Sequence, residues 1–166
     1  MASACPMATK RAEDGATGLP VLRAQVENLY VETMVLADEA HAAFAAARAR
    51  IGEEGGADET ALFRIGLACE SLKTTTRLMR VIAWLLHRRA MFAGDLGAGP
   101  DDSAARIGEP IAADWSLCDR FDAPLRGIVA ASERLFARVT ALEAGWQVPA
   151  APSPVQALLA QIAARL

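Results

Sequence analysis

One run of residues constrains this chain more than any other. Between Leu62 and Ala90, apolar or small residues recur as Leu62, Ile65, Cys69, Leu72, Thr76, Met79, Ala83, Leu86 and Ala90. The steps alternate strictly between three and four, the rhythm of a helix that keeps one seam against its neighbours. A strand repeats every two residues and cannot carry this pattern. The run predicts a helix opening at Asp58, a good N-cap, with Glu59 in a first turn that favours negative charge. Gly94 and Gly97 end it. The seam is the expected bundle core, with Cys69 in it as a small buried hydrophobe.

Helices of the same kind flank it. The chain has 37 alanines and 18 leucines against three tryptophans and one tyrosine, a composition that favours helix over sheet. A first helix is expected from near Pro20, whose fixed φ suits an opening position. Its stripe is Leu22, Val26, Leu29, Leu36, Ala40, Phe44, Ala47 and Ile51, with Thr33 in the one gap. Gly52 and Gly55-Gly56 close it. A third helix, from about Asp122 to Gly145, carries Leu125, Ile128, Ser132, Leu135, Val139, Leu142 and Trp146, with Pro124 in its first turn. Gly94 to Arg120 is a long connection holding Pro100, an Asp101-Asp102-Ser103 cluster, Pro110, Trp115 and Leu117. Connections this long are functional or disordered more often than not. The expected fold is therefore all-α, a three-helix bundle over residues 19–147 with a long crossover between its second and third helices. Residues 1–18 read as a mobile arm and 148–154 as a Pro-stiffened linker. A short amphipathic tail helix follows, capped by Ser153, with Val155, Leu158, Leu159, Ile162 and Leu166 on one face.

Several function classes fall away. Met1 to Gly18 has no apolar core of a secretory signal, and the longest apolar stretch, Val81 to Leu86, is far short of a membrane span. Three scattered cysteines without a CxxC pair suit a reducing cytoplasm. His41 and His87 are the only histidines, and no HExxH, paired Glu-x-x-His or Gly-rich phosphate loop is present. The expectation is a non-enzyme with no cofactor and no metal.

The second helix has further features. Nearly opposite the seam lies another apolar stripe: Phe63, Leu67, Leu78, Val81, Leu85 and Phe92. Either this helix is central in its own bundle, or Leu78, Val81 and Leu85 form a homodimer interface, with dimerisation slightly favoured. From Ala61 to Ala90 six basic residues face Glu70 alone, so the rest of the chain is more acidic than the net −3 suggests. Lys73, Arg77, Arg80 and Arg88 share a face with Trp84, where arginine–indole stacking is available. That strip either pairs with Glu27, Glu32, Asp38 and Glu39 of the first helix or meets an anionic partner. Nucleic acid is the weaker partner, for want of a recognisable binding motif. Glu70, Thr74, Arg77 and Trp84 also read as buried, paired polar contacts locking neighbouring helices. Thr74, Thr75 and Thr76 are expected to bond back to the preceding turn.

The elements Glu70-Ser71, Thr75-Thr76-Arg77-Leu78-Met79, Trp84-Leu85-Leu86 and Arg89-Ala90 resemble the central helix of the alphaproteobacterial regulator of CtrA degradation (RcdA) family. The layout of the third helix, with Ser132, Leu135, Arg138 and Val139, is similar too. The resemblance implies a dimeric three-helix bundle with a mobile C-terminal tail. It also implies an adaptor role for the ClpX–ClpP protease, delivering cell-cycle regulators together with co-adaptors. The residues that would dock partners on that reading are Val155, Leu158, Leu159, Ile162 and Leu166 of the tail, with Arg80 and Arg88 on the second helix.

Overall fold

The computed structural model describes residues 7–53, 58–95 and 106–147. The linker, the tail helix and the Asp101-Asp102-Ser103 cluster lie outside the described residues. Four helices form: α1 (Met7–Glu53), α2 (Asp58–Ala93), the single turn α3 (Trp115–Cys118) and α4 (Ala123–Gln147). No strand occurs among the described residues. Each long helix packs on the other two, giving the expected bundle.

The α1 stripe is core as anticipated. Val26, Leu29, Leu36, Ala40, Phe44, Ala47 and Ile51 are buried, and Leu22 is half-buried. Thr33 fills the gap without leaving a polar orphan, because its buried hydroxyl donates to the Leu29 carbonyl at 2.6 Å. The helix opens earlier than Pro20, however. It runs from Met7, so most of the expected arm is helical and Pro20 sits inside α1. Proline there removes one backbone donor, a local cost of ~3 kcal/mol or more that a long helix can absorb on either side.

In α2 the two stripes exchange roles. Leu67, Leu78, Val81, Trp84 and Leu85 are the core, at most 3% exposed. The regular seam faces outward: Leu62 is 69% exposed, Ile65 61%, Leu72 69%, Met79 59% and Leu86 44%. Cys69 is exposed with it, and the buried cysteine is Cys118. Leu78, Val81 and Leu85 are thus core residues covered by the chain's own helices, rather than the exposed dimer face expected of them. Gly94 ends α2 at φ 82°, with Gly94 N–H donating to the Met91 carbonyl and Asp95 N–H to that of Ala90. These are the paired bonds of a Schellman cap, whose left-handed residue is best made by glycine.

Asp122 caps α4 by accepting the Leu125 N–H at 3.0 Å, with Pro124 in the first turn. Leu125, Ser132, Leu135 and Val139 are buried as expected, and Val129, Phe136 and Glu143 join them. Ile128, Leu142 and Trp146 are half-buried against the same core. Near the α4 C-terminus Trp84 stacks on Trp146 at 5.2 Å, and the Arg88 guanidinium lies 4.9 Å from both rings.

Candidate functional site

The polar residues of the α2 core face hold the end of the crossover. Residues 106–114 have no regular structure, so their backbone groups need partners from elsewhere. Three carboxylates take the N–H groups. Glu143 accepts from Ile107 N–H at 3.1 Å, Glu133 from Ala113 N–H at 2.7 Å, and Glu70 from Asp114 N–H at 3.1 Å. Two guanidiniums take carbonyls. Arg77 Nη1 donates to Ile111 O at 2.6 Å, and Arg80 Nη1 donates to Glu109 O. Each carboxylate also ties in a side chain: Trp84 Nε1 donates to Glu143, Trp115 Nε1 to Glu133, and Lys73 to Glu70 at 2.6 Å. The segment is gripped along its length by charge-assisted bonds, roughly twice as strong as neutral ones.

Arg77 is the centre of this clamp. It is 1% exposed, and besides Ile111 it donates from Nε to Ser132 Oγ at 3.1 Å and from Nη2 to Thr74 Oγ1 at 3.0 Å. The Glu133 carboxylate stands 3.9 Å from Nη1. Burial pulls the Arg77 pKa below its ordinary value, against the nearby Glu133 and Glu70 charges. Lys73 moves the other way, raised chiefly by its hydrogen bond to Glu70. Burial pushes the Cys118 thiol up to about 11, so it stays protonated at neutral pH. Asp114 is held below the usual carboxylate value mainly by its bond from Ser116, as it caps α3.

The motif residues divide by role. Glu70, Arg77 and Trp84 belong to the clamp, and Leu78 and Leu85 to the core. Ser71 is half-buried and accepts from Arg48, while Thr75 and Thr76 donate back to the Ser71 and Leu72 carbonyls. Met79 and Leu86 lie on the outer stripe. Arg89 pairs with Glu27 at 2.9 Å and lies over the Tyr30 ring. The basic strip does not pair with α1 as a unit. Lys73, Arg77 and Arg80 are engaged by Glu70 and the crossover, Arg88 stacks on Trp84, and Glu32 of α1 pairs with Arg138 of α4. The tail residues Val155, Leu158, Leu159, Ile162 and Leu166 are outside the described residues.

Glu133 and Glu143 escaped the sequence reading. Glu143 follows the buried Val139 by four residues, and a carboxylate on a core stripe calls for a buried donor. Trp84, whose indole N–H needs an acceptor when buried, is that donor.

The described residues leave several surfaces open, among them a groove between α1 and α4 lined by Glu32, Val35 and Arg134, and two of them involve α2. One is the Leu62–Leu86 stripe, about 36 Å long at 1.5 Å per residue. The groove beside it is floored by Ala40, Phe44 and Leu78 and rimmed by His41, Thr75 and Met79. The other lies between α4 and the crossover, around Pro110, Ile111 and Phe136. Among the described residues no cluster of His, Cys, Asp or Glu has metal-binding geometry, and no helix is long and apolar enough to cross a membrane.

A protein-family model described as "Protein of unknown function (DUF1465)" matches residues 20–166. No curated protein and no solved structure matches the chain.

Proposed function

The chain belongs to the DUF1465 family, and we propose that it is a non-enzymatic, homodimeric adaptor that delivers regulatory proteins to the ClpX–ClpP protease. On this reading it works in the bacterial cytoplasm, in control of the cell cycle. The observation that carries the proposal is the outward stripe Leu62, Ile65, Leu72, Met79 and Leu86 on a helix whose other face is already buried. Five large apolar side chains in one exposed row are a protein-binding surface rather than a solvated face. The resemblance of the Glu70–Ala90 helix to RcdA supplies the partner class.

A second copy suits the stripe. Its heptad spacing and ~36 Å length match another α2, which would cover it end to end. The two flanks differ, with Ala68, Thr75 and Ile82 on one side and Lys73 and Arg80 on the other. A parallel pairing sets each basic flank against the neutral one, whereas an antiparallel pairing sets like charges together. An adaptor of this kind acts by effective concentration: a weak dock on each partner makes handover intramolecular. Nucleic acid suits the site less well, because Lys73, Arg77 and Arg80 already serve Glu70 and the crossover.

The test joins assembly to delivery. Leu72→Glu with Met79→Glu should leave the thermal midpoint near wild type and halve the mass by sedimentation. Val81→Glu, which places a charge in the core, should instead abolish cooperative folding. Proteins co-purifying with the wild-type chain and with ClpX should then be degraded faster by ClpX–ClpP when it is added. Unchanged degradation of every such protein refutes the adaptor reading. An unchanged mass for the double variant refutes the interface.

A further inference from the structure

The main-chain bonds of the crossover alternate along its length. Ile107 N–H donates to Glu143, Glu109 O accepts from Arg80, Ile111 O accepts from Arg77 and Ala113 N–H donates to Glu133. Between them Gly108, Pro110 and Ala112 make no hydrogen bond among the described residues, and all three are exposed. A period of two belongs to extended backbone, in which successive residues direct their N–H and C=O groups to opposite sides. Pro110 fits that period, because the outer side of an edge is where a missing N–H costs nothing. The stretch is bounded at both ends. Gly108 leaves extended geometry at φ 78°, and Asp114 caps α3. What remains is a short open edge, with Ala112 N–H as its donor and the Pro110 and Ala112 carbonyls as its acceptors.

An apolar groove runs beside the same residues. Pro110, Ile111 and Ala112 form one wall, and Ala137, Ala141 and Ala144 of α4 the other. Its volume of about 440 Å³ lies within the ~300–1,000 Å³ of ligand clefts. The alanines leave room for larger side chains, and the Thr140 hydroxyl is already spent on the Phe136 carbonyl. We propose that this cleft binds an extended peptide segment of a partner protein. The peptide adds as a strand to the Pro110–Ala112 edge and lays alternate apolar side chains against the alanines of α4.

The edge decides the kind of occupant. A helix satisfies its own N–H and C=O groups internally and leaves Ala112 unanswered. An extended peptide offers two N–H groups and one C=O to this edge, so main-chain bonds supply affinity while the groove selects side chains. Glu133 closes one end with a carboxylate that is 30% exposed, which disfavours an acidic residue there. The cleft is therefore separate in place and in chemistry from the outer stripe of α2, and its occupancy does not depend on the chain pairing with a second copy.

Hydrogen exchange on the full-length chain tests the proposal. The probes are end-blocked hexapeptides that alternate threonine with valine, leucine or phenylalanine. Without peptide, the Ile107 and Ala113 amides should be protected while that of Ala112 exchanges freely. At saturation with at least one of the peptides, the Ala112 amide should slow at least about tenfold. Two forms of that peptide, N-methylated on one or the other alternate set of amides, should differ at least about tenfold in affinity, because only one set meets the edge. Ala112→Pro removes a donor that no internal bond uses, and Ala141→Glu places a charge on the exposed wall of α4. Each should weaken binding at least about tenfold with a thermal midpoint near wild type, and Ala141→Glu decides alone if proline at 112 disturbs the fold. An Ala112 amide already protected in the free chain overturns the proposal. So does an Ala112 amide that none of the peptides slows, equal affinity of the two methylated forms, or undiminished binding by Ala141→Glu.

Discussion

Replacing Arg77 by methionine tests the clamp most directly. Methionine keeps much of the stem volume and removes the guanidinium with its bonds to Ser132, Ile111 and Thr74. The Ile111 carbonyl then loses a charge-assisted donor, and bonds to charged groups contribute ~1.5–3 kcal/mol each in mutational terms. Part of that sum is recovered, because the folded state no longer has to bury a guanidinium. Glu133, at 30% exposure, is partly rehydrated rather than stranded. The net falls at the low end of the ~3–5 kcal/mol seen when one partner of a buried pair is removed. For a chain of this size each kcal/mol lowers the midpoint by ~2–4 °C. Arg77→Met should therefore melt roughly 6–12 °C lower by calorimetry. Residues 107–113 should also gain more hydrogen exchange than α1 does, because the loss is local to the crossover. A variant within about 1 kcal/mol of wild type, or loosening spread evenly over all helices, would falsify the clamp.

Two further outcomes follow from the same network. Glu143→Ala leaves the Trp84 indole N–H and the Ile107 amide without their acceptor, at ~1–3 kcal/mol each. A loss of about 2–6 kcal/mol is expected by urea titration, and Glu143→Gln, which keeps one acceptor oxygen, should lose less. Cys118 gives a pH signature. Its thiol is raised from 9.0 to about 11, so the folded state holds that proton more tightly than the unfolded chain does. The resulting stability is complete below pH 9 and is lost as pH rises to 11. The urea midpoint of Cys118→Ala should accordingly fall less steeply than that of wild type between pH 9 and 11. Lys73, raised chiefly by its hydrogen bond to Glu70, is present in both chains and adds nearly the same slope to each; parallel slopes would show that the thiol is not the source.

What could be read from the sequence depended on how many apolar stripes each helix carries. Each of α1 and α4 has one, so their periodicity named the core from Val26 to Ile51 and from Leu125 to Val139 almost residue by residue. Helix α2 has two, and regularity is a poor guide between them. The strict heptad of Leu62 to Leu86 looked like the seam, yet burial went to the irregular stripe that holds Glu70, Thr74 and Arg77. The start of α1 was misplaced because proline is favoured at a first turn, although it is also tolerated inside a long helix at a cost. Glu133 and the tie from Glu143 to Ile107 were invisible for a different reason. Their partners are main-chain N–H groups of an irregular segment, and a backbone amide has no signature in the sequence.

The inversion of α2 and the length of the crossover have one physical origin. A segment without helix or strand that packs against a core must have its N–H and C=O groups bonded by side chains. Residues 107–114 meet that demand with matched signs, carboxylates taking N–H groups and guanidiniums taking carbonyls. Those charged groups must project from the helix faces that meet the segment, so the inner face of α2 cannot be uniformly apolar. Its remaining apolar residues, Leu62 through Leu86, then have no place inside and lie on the opposite face at regular spacing. A crossover held by backbone capture thus leaves α2 with a long apolar stripe outside its own bundle. The polar motif and the outer stripe are two sides of the same helix, and changing Glu70 or Arg77 to leucine would weaken the crossover without bringing the stripe inside.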